Sequence, residues 1–274
     1  MKIRISIAVL TIFLAFQSIH AQDPESILIG QKSTIHSQIL NEDRTILISL
    51  PDSYSDTTSK TYPILILLDG YAHFKTAAGI VHFMSYDRLR NRFIPEMIIV
   101  AIENVDRERD FTVTKLKTKR ENTMGGGKNF LAFIENELIP RMDKNYKTEP
   151  HRILAGHSLG GQLAVNAFMV ETSLFNAFIA IDPSIWWDEK TTAQKVDSMQ
   201  TEAFKKRIYI ATANQGEAGI ERNKKRHELL VSLFEKKAEG KQQVKLDYYD
   251  NENHRSIPLI AIYEGLKFLY KTEN

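Results

Sequence analysis

A chain of 274 residues, 43% hydrophobic and 26% charged, can bury a sizeable core and lacks the composition of a disordered polypeptide. Its 36 basic and 34 acidic residues leave a net charge of +2, too small to point to nucleic acid or an anionic membrane as partner. There is no cysteine, which excludes a disulfide framework, a thiol nucleophile and zinc–thiolate sites.

The chain begins with a short basic stretch, MKIR, followed by the apolar run ISIAVLTIFLAF and the polar QSIHAQ with a small residue at Ala21. That order predicts a secretory signal peptide over residues 1–21, export to the periplasm or the exterior, and a single domain over 22–274. The apolar run is shorter than the roughly 20 residues a membrane span requires, so stable membrane insertion is not expected; an uncleaved anchor is the alternative. Loss of Lys2 and Arg4 lowers the basic count to 34, equal to the acidic count.

Strand-length apolar runs follow. RTILISLP (residues 44–51) reads as a strand paired with STIHSQIL before it. YPILILLDG (62–70), MIIVAIEN (97–104) and HRILAG (151–156) are continuously apolar, as strands buried on both faces must be. FNAFIAID (175–182), KRIYIATA (206–213) and VKLDYYD (244–250) complete the set. Helical segments are predicted over 127–146, with Phe130, Phe133, Ile134, Leu138 and Ile139 on one stripe, and over 159–170, 221–238 and 257–270. The basic cluster RNKKRH (222–227) reads as a solvated helix face. This alternation predicts an α/β fold: about eight strands in a mostly parallel sheet, helices on both faces, and an antiparallel hairpin at the N-terminal edge.

One motif carries chemistry. G-H-S-L-G at Gly156–Gly160 lies between a buried-strand pattern and a helical one, the context of a nucleophile elbow. Side chains two residues either side of such a bend would clash with the adjoining strand and helix, hence the glycines. Ser158 would stand at a helix N-terminus, where free N–H groups favour developing negative charge. A serine hydroxyl needs a base, and the base an orienting acid. In α/β-hydrolases the chain order is Ser, then Asp or Glu, then His. That order leaves His227, inside the basic helix, and His254, in the polar loop DNENHRSIP; His254 is the expected base. His157, adjacent to the serine, is expected to point away from it. The acid is sought after the next-to-last strand, in ATANQGEAGIE, with Glu217 first and Glu221 as the alternative. Asp182, Asp188, Asp250 and Glu252 rank behind them, and a Ser–His dyad is a further option. The oxyanion hole should combine the Leu159 amide with those of Gly70 and Tyr71. No H-E-x-x-H or equivalent cluster is present, so neither metal nor cofactor is expected.

The segments LLDGYAHF, IENVDRERDFT, NFLAFIENELIPRMDKNYKTEPHRILAGHSLGG, DPSIWWD and NENHRSIPLIAIYEGLKF together resemble, in order and spacing, the esterase family of α/β-hydrolases that includes esterase D and the enterochelin esterases. The resemblance implies the α/β-hydrolase fold, Ser158 as nucleophile and His254 as base. It also implies a substrate mouth lined by Arg107 and Arg109 and by Trp186 and Trp187. The short stretch between the signal and the first strand has no room for the extra N-terminal domain of cytoplasmic siderophore esterases, which suggests a compact exported relative. The expected activity is hydrolysis of a small-molecule ester, a siderophore lactone or an aryl or acyl ester. The alternatives are acyl transfer to a sugar or lipid alcohol, and a non-catalytic binding role on the same fold.

Overall fold

The computed structural model describes residues 26–57, 59–86, 92–170, 174–199, 204–238 and 243–271. The expected signal peptide lies outside the described residues.

Among the described residues eight segments form strands: β1 (Gln31–Ser37), β2 (Glu42–Ser49), β3 (Tyr62–Leu67), β4 (Ile98–Ile102), β5 (Thr148–His157), β6 (Ala177–Ile181), β7 (Arg207–Ala213) and β8 (Val244–Tyr249). They pair in the order β1-β2-β4-β3-β5-β6-β7-β8. β2 runs antiparallel to both β1 and β4, and every other pairing is parallel. Parallel neighbours need crossovers, and helices supply them: α1 (Gly70–Ser85), α2 (Arg107–Phe111), α3 (Gly127–Phe133), α4 (Ile139–Asn145), α5 (Leu159–Met169), α6 (Glu189–Ser198), α7 (Glu217–Gly219), α8 (Lys225–Ala238) and α9 (Ile257–Leu269). α3 continues into α4 through a π turn at Ile134–Leu138. Pro140 sits there without an N–H to offer the carbonyl four residues back, so a regular α ladder is interrupted.

The two faces of the sheet bury different layers. On β3, Ile64 and Ile66 face a layer that includes Phe130, Phe133, Leu163, Phe168 and Phe234 of α3, α5 and α8. Leu65 and Leu67 face Phe74, Ala77, Ala261 and Ile262 of α1 and α9. This period of two, apolar on both sides, is the reason β3 to β7 read as unbroken hydrophobic runs. Helices α1, α2, α6 and α7 fall outside the predicted elements. α1 was hidden because Asp69–Gly70 resembles a turn, whereas it opens a helix. The basic cluster is also not a wholly solvated face, since Asn223 and His227 within it are buried at 2% and 0% exposure.

Candidate active site

Three residues at the carboxyl ends of neighbouring strands carry positive backbone angles that side chains normally avoid. They are Asp69 after β3 (φ 54°), Ser158 after β5 (φ 60°) and Asp182 after β6 (φ 41°). Strain of this kind costs about 1–3 kcal/mol per residue and collects at functional sites. Its position also fits the rule that open parallel sheets bind ligands beyond their strand carboxyl ends.

The bend at Ser158 passes β5 into α5 in a single residue. A Cβ on Gly156 would lie 2.4 Å from the Gly160 carbonyl oxygen, so glycine is required there. Gly160, expected to be under the same demand, is not: a Cβ there meets nothing closer than 3.4 Å, and the tighter position is Gly161, 3.0 Å from the Ile181 oxygen. Ser158 is fixed by its own N–H, which donates to Ile181 O at 2.9 Å. Its Oγ is hydrogen-bonded to Ser184 Oγ at 3.2 Å.

His254 stands in the loop between β8 and α9, and its Nδ1 lies 2.6 Å from Asp182 Oδ2. Asp182 is fully buried. Its carboxylate also accepts from the side-chain amide of Gln215 and from Ala213 N–H at 3.2 Å. Burial by itself would push this carboxyl up. The hydrogen bonds from His254 and from Ala213 N–H outweigh it, and hold it below the usual carboxylate range. The acid on His254 is therefore Asp182, which corrects the expectation of Glu217. Glu217 is exposed at the start of α7, and Glu221, the alternative, pairs with Lys225 on the surface. The loop expected to supply the acid supplies Gln215 instead. A signal existed in the sequence: Asp182 ends a wholly apolar strand, where a carboxylate needs a partner.

The neighbouring histidines frame this pair. His157, expected to point away from the serine, packs against the base instead. Its ring lies against His254 with centroids 4.4 Å apart, and His73 meets its other side edge-on at 5.7 Å. Burial, with His254 and His73 nearby, pushes the His157 pKa down to about 4, so the imidazole is neutral at pH 7. His227 bridges Thr212 Oγ1 and Pro183 O, both at 2.7 Å. Burial holds it neutral, so Nε2–H donates to Pro183 and Nδ1 accepts from Thr212.

The amides expected to form the oxyanion hole stand at two helix starts. Leu159 opens α5, and Gly70 and Tyr71 open α1, so their N–H groups have no carbonyl within their own helix. A Cβ on Gly70 would come within 2.9 Å of the Ile102 backbone, so the close approach requires glycine. The two arginines expected at the substrate mouth are committed to the protein. Arg107 donates to Asp69 and to His157 O. Arg109 bonds Glu42 and Asp110, in a network with the buried Arg44. Spacing alone could not show this, because their partners come from other strands. The tryptophans share one helical turn with ring centroids 5.4 Å apart. Trp186 is 39% exposed with the Arg222 guanidinium 5.5 Å from its ring, while Trp187 is half-buried. Among the described residues no group of three His, Asp or Glu side chains could hold a metal ion, and no helix is long and apolar enough to cross a membrane.

Comparison with known proteins places this geometry. The family profile "Putative esterase" matches residues 37–256. The chain is 25% identical over 248 residues to the ferri-bacillibactin esterase BesA of Bacillus subtilis, covering 83% of this chain and 86% of that protein. It is 32% identical over 154 residues to a siderophore triacetylfusarinine C esterase of Aspergillus fumigatus, covering 52% of each. Among solved structures, an IroE-like serine hydrolase from Shewanella oneidensis superposes with a TM-score of 0.77 at 29% identity, over 88% of this chain and 80% of that one.

Proposed function

The chain belongs to this esterase family, and from that premise we propose that it is a serine carboxylic-ester hydrolase working through an acyl-enzyme. The observation that carries the reading is the 2.6 Å hydrogen bond between His254 and the buried Asp182, at the end of the strand next to the one that leads into Ser158 and its strained bend. Asp182 occupies Nδ1 and fixes the tautomer, leaving Nε2 of His254 to take a proton. Ser158 Oγ exchanges its bond to Ser184 for one to His254 Nε2 and attacks the ester carbonyl. The amides of Leu159 and of Gly70 or Tyr71 receive the oxyanion. His254 returns the proton to the leaving alcohol, then activates water to release the acid. The two relatives named for siderophore esters support substrates of that class. Trp186 offers an aromatic wall for a flat aryl group.

The test is turnover of p-nitrophenyl acetate and of iron-loaded triester siderophores, compared with Ser158→Ala, together with covalent labelling by a fluorophosphonate. Loss of both turnover and labelling in the variant is expected. Equal rates in the two proteins would end the proposal.

A further inference from the structure

An oxyanion hole built from backbone amides depends on how its two loops sit relative to each other, because no side chain of the donors themselves can adjust them. Here the loops follow β3 and β5, and one side chain from a third element spans them. Arg107, the first residue of α2, donates from Nε to Asp69 Oδ1 at 2.7 Å and from Nη2 to Asp69 Oδ2 at 3.0 Å. The same Nη2 donates to the His157 carbonyl at 3.0 Å. Asp69 immediately precedes Gly70, and His157 immediately precedes Ser158, so the guanidinium grips the chain on both sides of the hole. Asn104 adds a second donor to Asp69. A Cβ on Gly160 would lie 3.4 Å from Asp69 Oδ2, so the Asp69 carboxylate already packs against the first turn of α5. The guanidinium itself lies 5.3 Å from the Phe111 ring centroid, which limits its freedom. Asp69, in the left-handed region at φ 54°, is a conformation the ion pair helps to hold.

We propose that Arg107 is a positioning residue for the oxyanion hole: its planar fork sets the separation between the Leu159 amide and the Gly70–Tyr71 amides. The inference rests on the acyl-enzyme reading above. It assigns Arg107 no direct contact with substrate. A lysine at this position would keep the charge but present a single ammonium, unable to reproduce three in-plane bonds.

The experiment measures kcat and KM for p-nitrophenyl acetate, a small uncharged ester, in wild type, Arg107→Lys and Asn104→Ala. Competent sites are counted by the endpoint of fluorophosphonate labelling, so that kcat refers only to folded enzyme. Misplacing a donor rather than deleting it should lower kcat about 10- to 100-fold in Arg107→Lys with KM within about twofold. Asn104→Ala loosens Asp69 but leaves the guanidinium in place, and should lower kcat about threefold to tenfold at constant KM; it carries the test if the lysine variant does not fold. An unchanged kcat per titrated site, or an effect confined to KM, overturns the inference and leaves the esterase reading standing. A wild-type protein that neither turns over nor labels removes that reading, and the inference with it.

Discussion

Replacing Asp182 by asparagine separates the acid the structure presents from the one the chain order suggested. Asp182 Oδ2 accepts from His254 Nδ1 at 2.6 Å and from the Gln215 amide, while Oδ1 accepts from Ala213 N–H at 3.2 Å. Both oxygens therefore face donors. An asparagine NH2 placed at the Oδ2 position would confront His254 and Gln215, and would drive the imidazole proton to Nε2, where it blocks the base. Placed at Oδ1, it would confront Ala213 N–H instead. Either orientation also removes the charge that stabilises the imidazolium. A hydrogen bond to a charged group contributes about 1.5–3 kcal/mol, which lost from the transition state is roughly 10- to 150-fold in rate, and the wrong tautomer adds to that. The same change in the Ser-His-Asp template lowers kcat about 10⁴-fold. Steady-state kinetics on p-nitrophenyl acetate should therefore show kcat reduced about a thousandfold in Asp182→Asn with KM little changed, and Glu217→Gln within about twofold of wild type. Circular dichroism would establish that both variants fold. A folded Asp182→Asn enzyme within tenfold of wild type, or a hundredfold loss in Glu217→Gln, would refute the assignment.

Other expectations follow from single contacts. His157 is held neutral with its pKa at about 4, against 6.5 for the free side chain. Because the folded value is the lower one, its contribution to stability is complete above pH 6.5 and drains away as the pH falls to 4. The difference of about 2.5 pH corresponds to about 3 kcal/mol, so in urea unfolding the stability of wild type relative to His157→Gln should fall by about that amount between pH 6.5 and pH 4; parallel curves would contradict this. Gly156→Ala places a methyl 2.4 Å from a backbone oxygen and should destabilise by about 3 kcal/mol or more, visible as a melting temperature lower by roughly 6–12 °C. Gly160→Ala, with 3.4 Å of clearance inside a helix, should stay within about 1 kcal/mol of wild type in the same melt. Trp186→Ala should raise KM about threefold for esters with an aromatic acyl group and leave p-nitrophenyl acetate unchanged in parallel kinetic assays.

How much of this was legible beforehand depends on range along the chain. The bend at Ser158 was readable because its requirements are local: an apolar strand, a residue in a strained conformation, a helix start, and glycine at 156 where a side chain would strike the next turn. His254 was readable from chain order, since the loop after the last strand of a parallel sheet returns to the same edge. The sheet itself followed from runs apolar on both faces. Asp182 was marked only as a carboxylate ending an apolar strand; several carboxylates end strands near the site, and packing alone decides which of them is buried against His254. Asp182 is fully buried while Glu217 is turned to solvent. Arg107 looked like a substrate ligand for the same reason: its partners Asp69 and His157 lie 38 and 50 residues away in sequence.

What the sequence determined by itself is the set of elements and the chemistry available at their ends, because propensity, period and steric demand act over a few residues. What only the tertiary structure decided is which of those ends meet. The order β4-β3-β5-β6 brings the Arg107, Asp69, Ser158 and Asp182 loops side by side, and β7-β8 carries Gln215 and His254 to them. Hydrogen bonding and desolvation act over a few ångströms, so partners in this site are selected by strand adjacency, which spacing along the chain does not encode.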